Sequence, residues 1–158
     1  MKKAILFLSI VCFCFVLKGQ ETNKKEVFNK VVQLIETAHS TLSDSSFYIV
    51  KNSDNNGLRL ALQSIVKTAI NQTEETFELD LNDVTDVYAI PQASGFTLIV
   101  NLKNKVLISK KKIDFENLFH AEVITEDLRE VSDLWFLFKK ESDANSLEKA
   151  LMDIKKAK

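Results

Sequence analysis

The side chains that could carry acid–base or nucleophilic chemistry are few in kind and scattered along the chain. The sequence holds two histidines, His39 and His120, and two cysteines, Cys12 and Cys14. A histidine-led catalytic site needs a second group within hydrogen-bonding distance, and the spacing of these residues offers no such pairing. We therefore expect structural or surface roles for both histidines.

Oxygen ligands for a hard cation cluster at Asp80, Asn82, Asp83 and Asp86. A calcium loop needs such ligands at alternating positions and a glycine at its sharp turn. The cluster has no glycine, and Val84 stands in its middle. We expect Asp80 to point outward from a strand, Asn82 and Asp83 to form a turn, and no metal to bind.

The sequence contains no motif for nucleophilic or nucleotide chemistry. It lacks the glycine-flanked serine elbow of serine hydrolases, and three glycines in all leave no room for a phosphate-binding loop. We expect a protein that is not an enzyme and has no cofactor. Two alternatives stay open. They are a hydrolase or isomerase using carboxylates such as Asp80, Asp83, Glu122 or Asp127, and a small anion bound at Lys110–Lys112.

The N-terminal segment has the features of a signal peptide. Lys2 and Lys3 form a basic start, and an apolar run follows from Ala4 to Leu17. A helix that spans a bilayer needs about 20 apolar residues, so this run is too short for a permanent anchor. We expect a signal peptide over residues 1–19, cleaved within a few residues of Gly19, and export to the periplasm or the extracellular space.

Removal of the signal peptide changes the chemistry of the chain. Both cysteines leave with it, so the mature protein has no thiol for a disulfide, a nucleophile or a metal site. Loss of Lys2, Lys3 and Lys18 from 21 basic residues leaves 18 against 22 acidic ones, a formal charge of −4. We expect neither nucleic acid nor anionic lipid as a partner, and no membrane span after cleavage.

The remaining residues, 20–158, are expected to form a single α+β domain, because one proline and three glycines leave no flexible linker. Apolar residues recur with helical spacing over 26–42 and again from Ser142 onward. The segment Leu58–Ile70 fits a helix or a strand, and the hairpin turn at Asn52–Gly57 favours a strand. About eight strands are expected, at residues 47–50, 58–70, 77–81, 84–90, 95–100, 106–109, 121–125 and 131–140.

Short turns between consecutive strands predict an antiparallel β-meander that curls or closes, with an amphipathic helix at each end of the chain. Four segments together resemble the layout of PH-like barrels in small exported bacterial proteins of unknown function: Phe77–Val87, Phe96–Leu102, Leu134–Phe138 and the helix Ser142–Ala157. The resemblance implies a PH-like barrel or sandwich capped by the C-terminal helix. It implies no phosphoinositide site, because only Lys51 and Arg59 flank the first hairpin.

The last predicted strand is apolar on both faces. Leu134, Phe136 and Phe138 line one face, and Trp135 and Leu137 line the other. A meander usually buries only one face of each strand, so something must cover the second.

Two coverings of the face that holds Trp135 and Leu137 fit the sequence. In the first, the N-terminal helix packs on it through Val27, Val31 and Leu34. In the second, the face is a ligand groove or a homodimer surface. We therefore expect an exported, non-catalytic binding or interaction module whose partner is another protein or a small apolar ligand. The alternative is a carrier of a small apolar ligand in a cavity or groove near Trp135.

Export can be checked on the protein secreted by its natural host. We expect the mass of the exported chain to show cleavage within a few residues of Gly19, with loss of about the first nineteen residues. We also expect no reaction with a thiol reagent under denaturing conditions, because both cysteines are removed with the signal peptide. A secreted chain that keeps a reactive thiol would contradict the assignment.

Overall fold

The computed structural model describes residues 24–39, 46–54, 58–117 and 120–156, and within these ranges it leaves the side chains of residues 115–125 undescribed. The predicted signal peptide, residues 1–19, lies outside the described residues, as does the second half of the predicted turn Asn52–Gly57, residues 55–57. Among the described residues, no helix is both long enough and apolar enough to cross a membrane.

The structure contains a six-stranded antiparallel sheet, with one helix before the strands and one after them in the chain. This confirms the predicted mixture of helix and sheet with one helix at each end of the chain. The described part of helix α1 covers residues 24–36, and helix α2 covers Glu141–Lys156. A short 3-10 turn, Leu81–Asp83, separates the third and fourth strands. The strands are β1 (Ser46–Asp54), β2 (Arg59–Lys67), β3 (Asn71–Asp80), β4 (Val84–Gln92), β5 (Gly95–Asn117) and β6 (His120–Phe138).

The sheet is not a simple meander, because β5 pairs with three strands. β1, β2 and β3 follow one another as antiparallel neighbours. The next neighbour of β3 is β5, through Asn71–Thr76, whereas β4 pairs with an earlier stretch of the same edge of β5. β6 pairs with the opposite edge of β5. One long strand therefore replaces the sequential order that the short turns predicted.

The expected eight strands become six because the predicted breaks at residues 101–105 and 126–130 are absent, so that β5 and β6 each join two predicted strands. The turn expected at Asn104 is a bulge, where the register between β5 and β6 shifts between Asn101 and Val106 while both strands continue. The connection expected at Lys110–Lys112 lies inside β5, where Lys111 stands opposite Glu74 of β3 and Glu126 of β6. Opposite charges at directly paired positions favour strand pairing, so these lysines belong to the sheet.

The helices and the ambiguous segment differ in how well their sequences predict them. The strand prediction for Leu58–Ile70 is confirmed over Arg59–Lys67. Helix α2 is also confirmed, and it begins at Glu141, one residue before the start predicted at Ser142. Helix α1 ends at residue 36 rather than 42, because the chain leaves the helix to pair with β6 at His39.

Both helices pack on the same side of the sheet and share one apolar core. The predicted stripe of α2 is buried, and α1 contributes Phe28, Val31 and Ile35 to the same cluster. These helix residues meet buried strand residues such as Leu98 and Phe136. Each large side chain buried here stabilises the fold by about 1.5–3 kcal/mol, so this shared core is the main source of stability.

Two edge strands of the sheet, β1 and β6, are bridged by hydrogen bonds. The phenol of Tyr48 in β1 donates to the backbone carbonyl of Trp135 in β6, at 3.0 Å. The backbone of His39 exchanges two hydrogen bonds with Leu137, at 2.7 and 2.9 Å. The Nδ1 atom of His39 lies 2.6 Å from the carbonyl oxygen of Ser46, and since a carbonyl only accepts, Nδ1 carries the proton. The sheet is therefore curled, and Tyr48 and His39 hold β1 and β6 together.

Gly95 opens β5 at a position that only glycine fits. Its φ angle is 154°, and a Cβ atom there would lie 2.3 Å from the backbone oxygen of Phe138. We expect Gly95→Ala to lower the free energy of unfolding by about 2 kcal/mol, measured by urea denaturation. Ser94→Ala, at the exposed neighbouring turn position, is the matched control and should change it by less than about 0.5 kcal/mol. Equal midpoints for Gly95→Ala and the wild type would contradict the steric argument.

Candidate functional site

The bulge in β5 decides which residues of β6 face the core. On one side of it, buried Val100 pairs with buried Leu134. On the other side, Val106 pairs with Val131, so the residues of β6 that point inward change from even to odd numbers. Trp135 and Val131 both have odd numbers and lie on the same side of β6. That side faces the core at Val131 and faces solvent at Trp135, which lies beyond the bulge.

Trp135 is 56% exposed, so helix α1 does not cover it. The interpretation that α1 packs on this face through Val31 is wrong, because Val31 is fully buried in the core on the opposite side of the sheet. Directly paired positions place Tyr88, Ile99 and Trp135 in one row across β4, β5 and β6. In this row Tyr88 and Trp135 are exposed. Leu137, two residues further along β6, is half-buried where it pairs with His39.

A cavity of about 370 Å³ opens beside Trp135, between β1, β3, β5 and β6. Buried Tyr48 and Phe77 lie in its wall with their rings edge to face, 6.4 Å between centroids. We call it the Trp135 cavity, and its apolar and aromatic lining residues are Tyr48, Phe77, Ile108, Val131, Leu134 and Trp135.

Three charged residues complete the lining of the Trp135 cavity. One guanidinium nitrogen of Arg129 contacts both carboxylate oxygens of Glu75, at 3.1 and 3.2 Å. The indole N–H of Trp135 donates to the carboxylate of Asp133. The side chain of Glu75 is 20% exposed and that of Arg129 is 51% exposed, so the acid is the more deeply placed partner.

The Tyr48 phenol is held in its neutral form. Burial raises the pKa of Tyr48 well above its ordinary value, the Glu75 carboxylate raises it further, and Arg129 lowers it by less than these. Since its proton is directed to the Trp135 carbonyl, the phenol acts as a structural donor between the sheet edges.

A larger and more open groove, of about 720 Å³, lies on the neighbouring part of the sheet. It forms where β3 separates from β5 after Thr76 and before β4 begins to pair. Its charges largely compensate one another, with Arg59 and Asp80 paired at 3.4 Å and Asp83 accepting from the Asn104 amide at 2.8 Å. Its openness and internal pairing make it the weaker candidate for a specific ligand.

The sequence-predicted site residues are dispersed by the fold. Asp80 caps the 3-10 turn by accepting from the Asn82 backbone at 2.8 Å, and Asp86 lies in β4. Among the described residues, no group of three or more histidine, cysteine or acidic side chains could hold a metal ion. Asp127 is exposed on β6, while the side chains of His120 and Glu122 lie outside the described residues.

Sequence reasoning singled out Trp135 as an apolar residue on the second face of its strand, but it missed the residues that surround it in the structure. Glu75 and Arg129 are 54 positions apart, and Tyr48 is 87 positions from the carbonyl it binds. Nothing in the local pattern relates these positions. The only local signal was the aromatic strand Phe47–Val50, which correctly placed Tyr48 in a strand.

A comparison with known proteins finds no matching family model, no curated relative and no similar solved structure. The candidate site therefore rests on its own geometry.

The Tyr48 hydrogen bond can be tested by its dependence on pH. At neutral pH, Tyr48→Phe should lower the free energy of unfolding by about 1 kcal/mol, since it removes one part-buried hydrogen bond. Because the folded-state pKa is raised, the contribution of the phenol is complete below about pH 10 and is lost as the pH rises above that value. Urea midpoints of wild type and variant should therefore converge in that range. Tyr88→Phe is the matched control, and a constant gap up to about pH 11 would contradict this account.

Proposed function

We propose that this protein is an exported, non-catalytic binding module that holds a small ligand with an apolar body in the Trp135 cavity. The observation that carries the proposal is the cavity of about 370 Å³ beside a half-exposed tryptophan. Small-molecule sites are concave, mostly apolar, and about 300–1,000 Å³ in volume, with a few polar groups at defined positions.

The composition of the cavity supports an apolar body for the ligand. Buried side chains of Phe77, Ile108 and Leu134 line it, and each presents carbon atoms only. Burying an alkyl chain against such a surface is favourable by about 0.8 kcal/mol for each methylene group. Full burial of an eight-carbon chain therefore supplies about 6 kcal/mol, and since the cost of association reduces this figure, we expect dissociation constants in the millimolar range.

The engagement of the polar groups supports a binding role rather than catalysis. Glu75 is paired with Arg129, Asp133 accepts from Trp135, and the neutral phenol of Tyr48 donates to a backbone carbonyl. A general base needs a free acceptor within reach of the proton it removes. In this cavity each candidate group is already engaged in positioning a neighbour.

Export and the PH-like resemblance belong to the same proposal. The basic start and short apolar run of residues 1–19 support a signal peptide. A curled antiparallel sheet with a C-terminal helix packed on it is the arrangement that a PH-like barrel would have. We propose the periplasm or the extracellular space as the place where the module binds its ligand.

Contact between two copies of the chain is a second candidate function. The row of Tyr88, Ile99 and Trp135, which is exposed at Tyr88 and Trp135, favours it, because exposed aromatic residues on one face of a sheet can pack on their own symmetry mate. Sedimentation at several protein concentrations separates the two uses. A dimer that Trp135→Ser dissociates would support self-association, whereas a monomer would leave the cavity as the binding site.

Trp135 is the only tryptophan of the chain and reports directly on its cavity. We expect its fluorescence to change saturably on titration with octyl compounds below their micelle-forming concentrations. Val131→Phe places a larger side chain at the cavity wall and should weaken binding about tenfold or more. Ile70→Phe, at an exposed turn position outside the cavity, is the matched control and should bind like the wild type. The absence of a saturable response to octyl compounds of every head group would refute the proposed function.

A further inference from the structure

We infer that the Trp135 cavity selects an organic cation, an apolar body that carries an ammonium or related group, over a neutral or anionic ligand with the same body. This inference rests on the proposed function and specifies the chemical class of its ligand. It follows from the sign, the depth and the neighbours of the charges at the cavity.

The charges that line the cavity sum to −1. Among the described residues that line it, Glu75 and Asp133 are acidic and Arg129 is the only basic one, which gives this sum. Lys110 of β5 stands directly opposite both Glu75 of β3 and Asp127 of β6, so Lys110 and Asp127 add one charge of each sign. The local balance therefore favours a cation over an anion.

In the Glu75–Arg129 pair the acid lies deeper than the base. A ligand can therefore replace Arg129 more easily than it can replace Glu75. A ligand cation that takes the place of Arg129 releases a side chain that is already 51% exposed and can extend into water. A ligand anion that takes the place of Glu75 would leave a carboxylate with only 20% exposure without its partner. Leaving a partly buried charge uncompensated is costly, so the second exchange is the unfavourable one.

Aromatic residues in the lining add a preference of the same sign. Tyr48, Phe77 and Trp135 all line the cavity, and the faces of such rings attract cations, with tryptophan the strongest of the three. The indole N–H of Trp135 is bound to Asp133, which fixes the tryptophan beside a carboxylate. A cation at the mouth of the cavity would therefore meet both a ring system and an anion.

The pKa of the Tyr48 phenol reports the same potential. Glu75 raises this pKa by more than Arg129 lowers it, so the ion pair as a whole disfavours negative charge at the phenol. A ligand head group near Tyr48 would experience a potential of the same sign.

Three probes with one tail and different head groups test the inference: octyltrimethylammonium, octanol and octanoate, each titrated below its micelle-forming concentration against Trp135 fluorescence. We expect the ammonium to bind about tenfold more tightly than octanol, and octanoate to bind most weakly. Glu75→Gln and Asp133→Asn should each reduce the preference for the ammonium over octanol by about threefold or more. Glu78→Gln, which makes the same charge change on the same strand outside this cavity, is the matched control and should keep the preference.

The outcomes separate this inference from the proposed function. Equal or tighter binding of octanol or octanoate would overturn the cation preference and leave the cavity as an apolar site. A cation preference that Glu75→Gln and Asp133→Asn both leave unchanged would also overturn it, because the preference would then arise elsewhere. No saturable response to any of the three probes would overturn the proposed function together with the inference.

Discussion

Strand β5 holds the sheet together, since β3, β4 and β6 all pair with it. Its Gly95–Leu102 half carries β4 on one edge and β6 on the other, and its Ser109–Asp114 stretch carries β3 and β6. A break at Asn104 would separate these two halves into independent ribbons. Continuity is maintained because the backbone of β5 keeps its ladder with β6 on both sides of the bulge.

The same bulge shapes the Trp135 cavity. Where β3 separates from β5 and β6 changes its inward-facing residues, the core cannot be filled by a regular alternation of side chains. Val106 and Ile108 continue the core on β5, while the adjoining wall of β6 passes from apolar Val131 to charged Arg129. A cavity with an apolar interior and a charged mouth follows from this local mismatch between β5 and β6.

The sequence predicts what depends on local periodicity. The buried stripe of α2 and the strand at Arg59–Lys67 follow from apolar spacing and from one turn signal. The continuity of β5 does not, because Asn104 and Lys110–Lys112 have the composition of turns and loops. Their strand conformation depends on partners in β3 and β6, and those partners are known only once the strand order is known. The Glu75–Arg129 pair was beyond prediction for the same reason, whereas Trp135 was identified because an apolar residue on a second strand face needs a local explanation.

The exposure of Trp135 is not required by the fold. The contacts that tie β6 to β1 at this point use the backbone carbonyl of Trp135, which accepts from Tyr48, and the backbone of Leu137, which pairs with His39. Any residue in strand conformation would supply the same carbonyl. Because Arg129 is half-exposed, its ion pair with Glu75 contributes about 1 kcal/mol or less, so stability gives little reason for its position either. The indole and the ion pair therefore lie together where β6 is tied to β1 although the fold does not require either of them there, and this is the arrangement on which the proposed binding role depends.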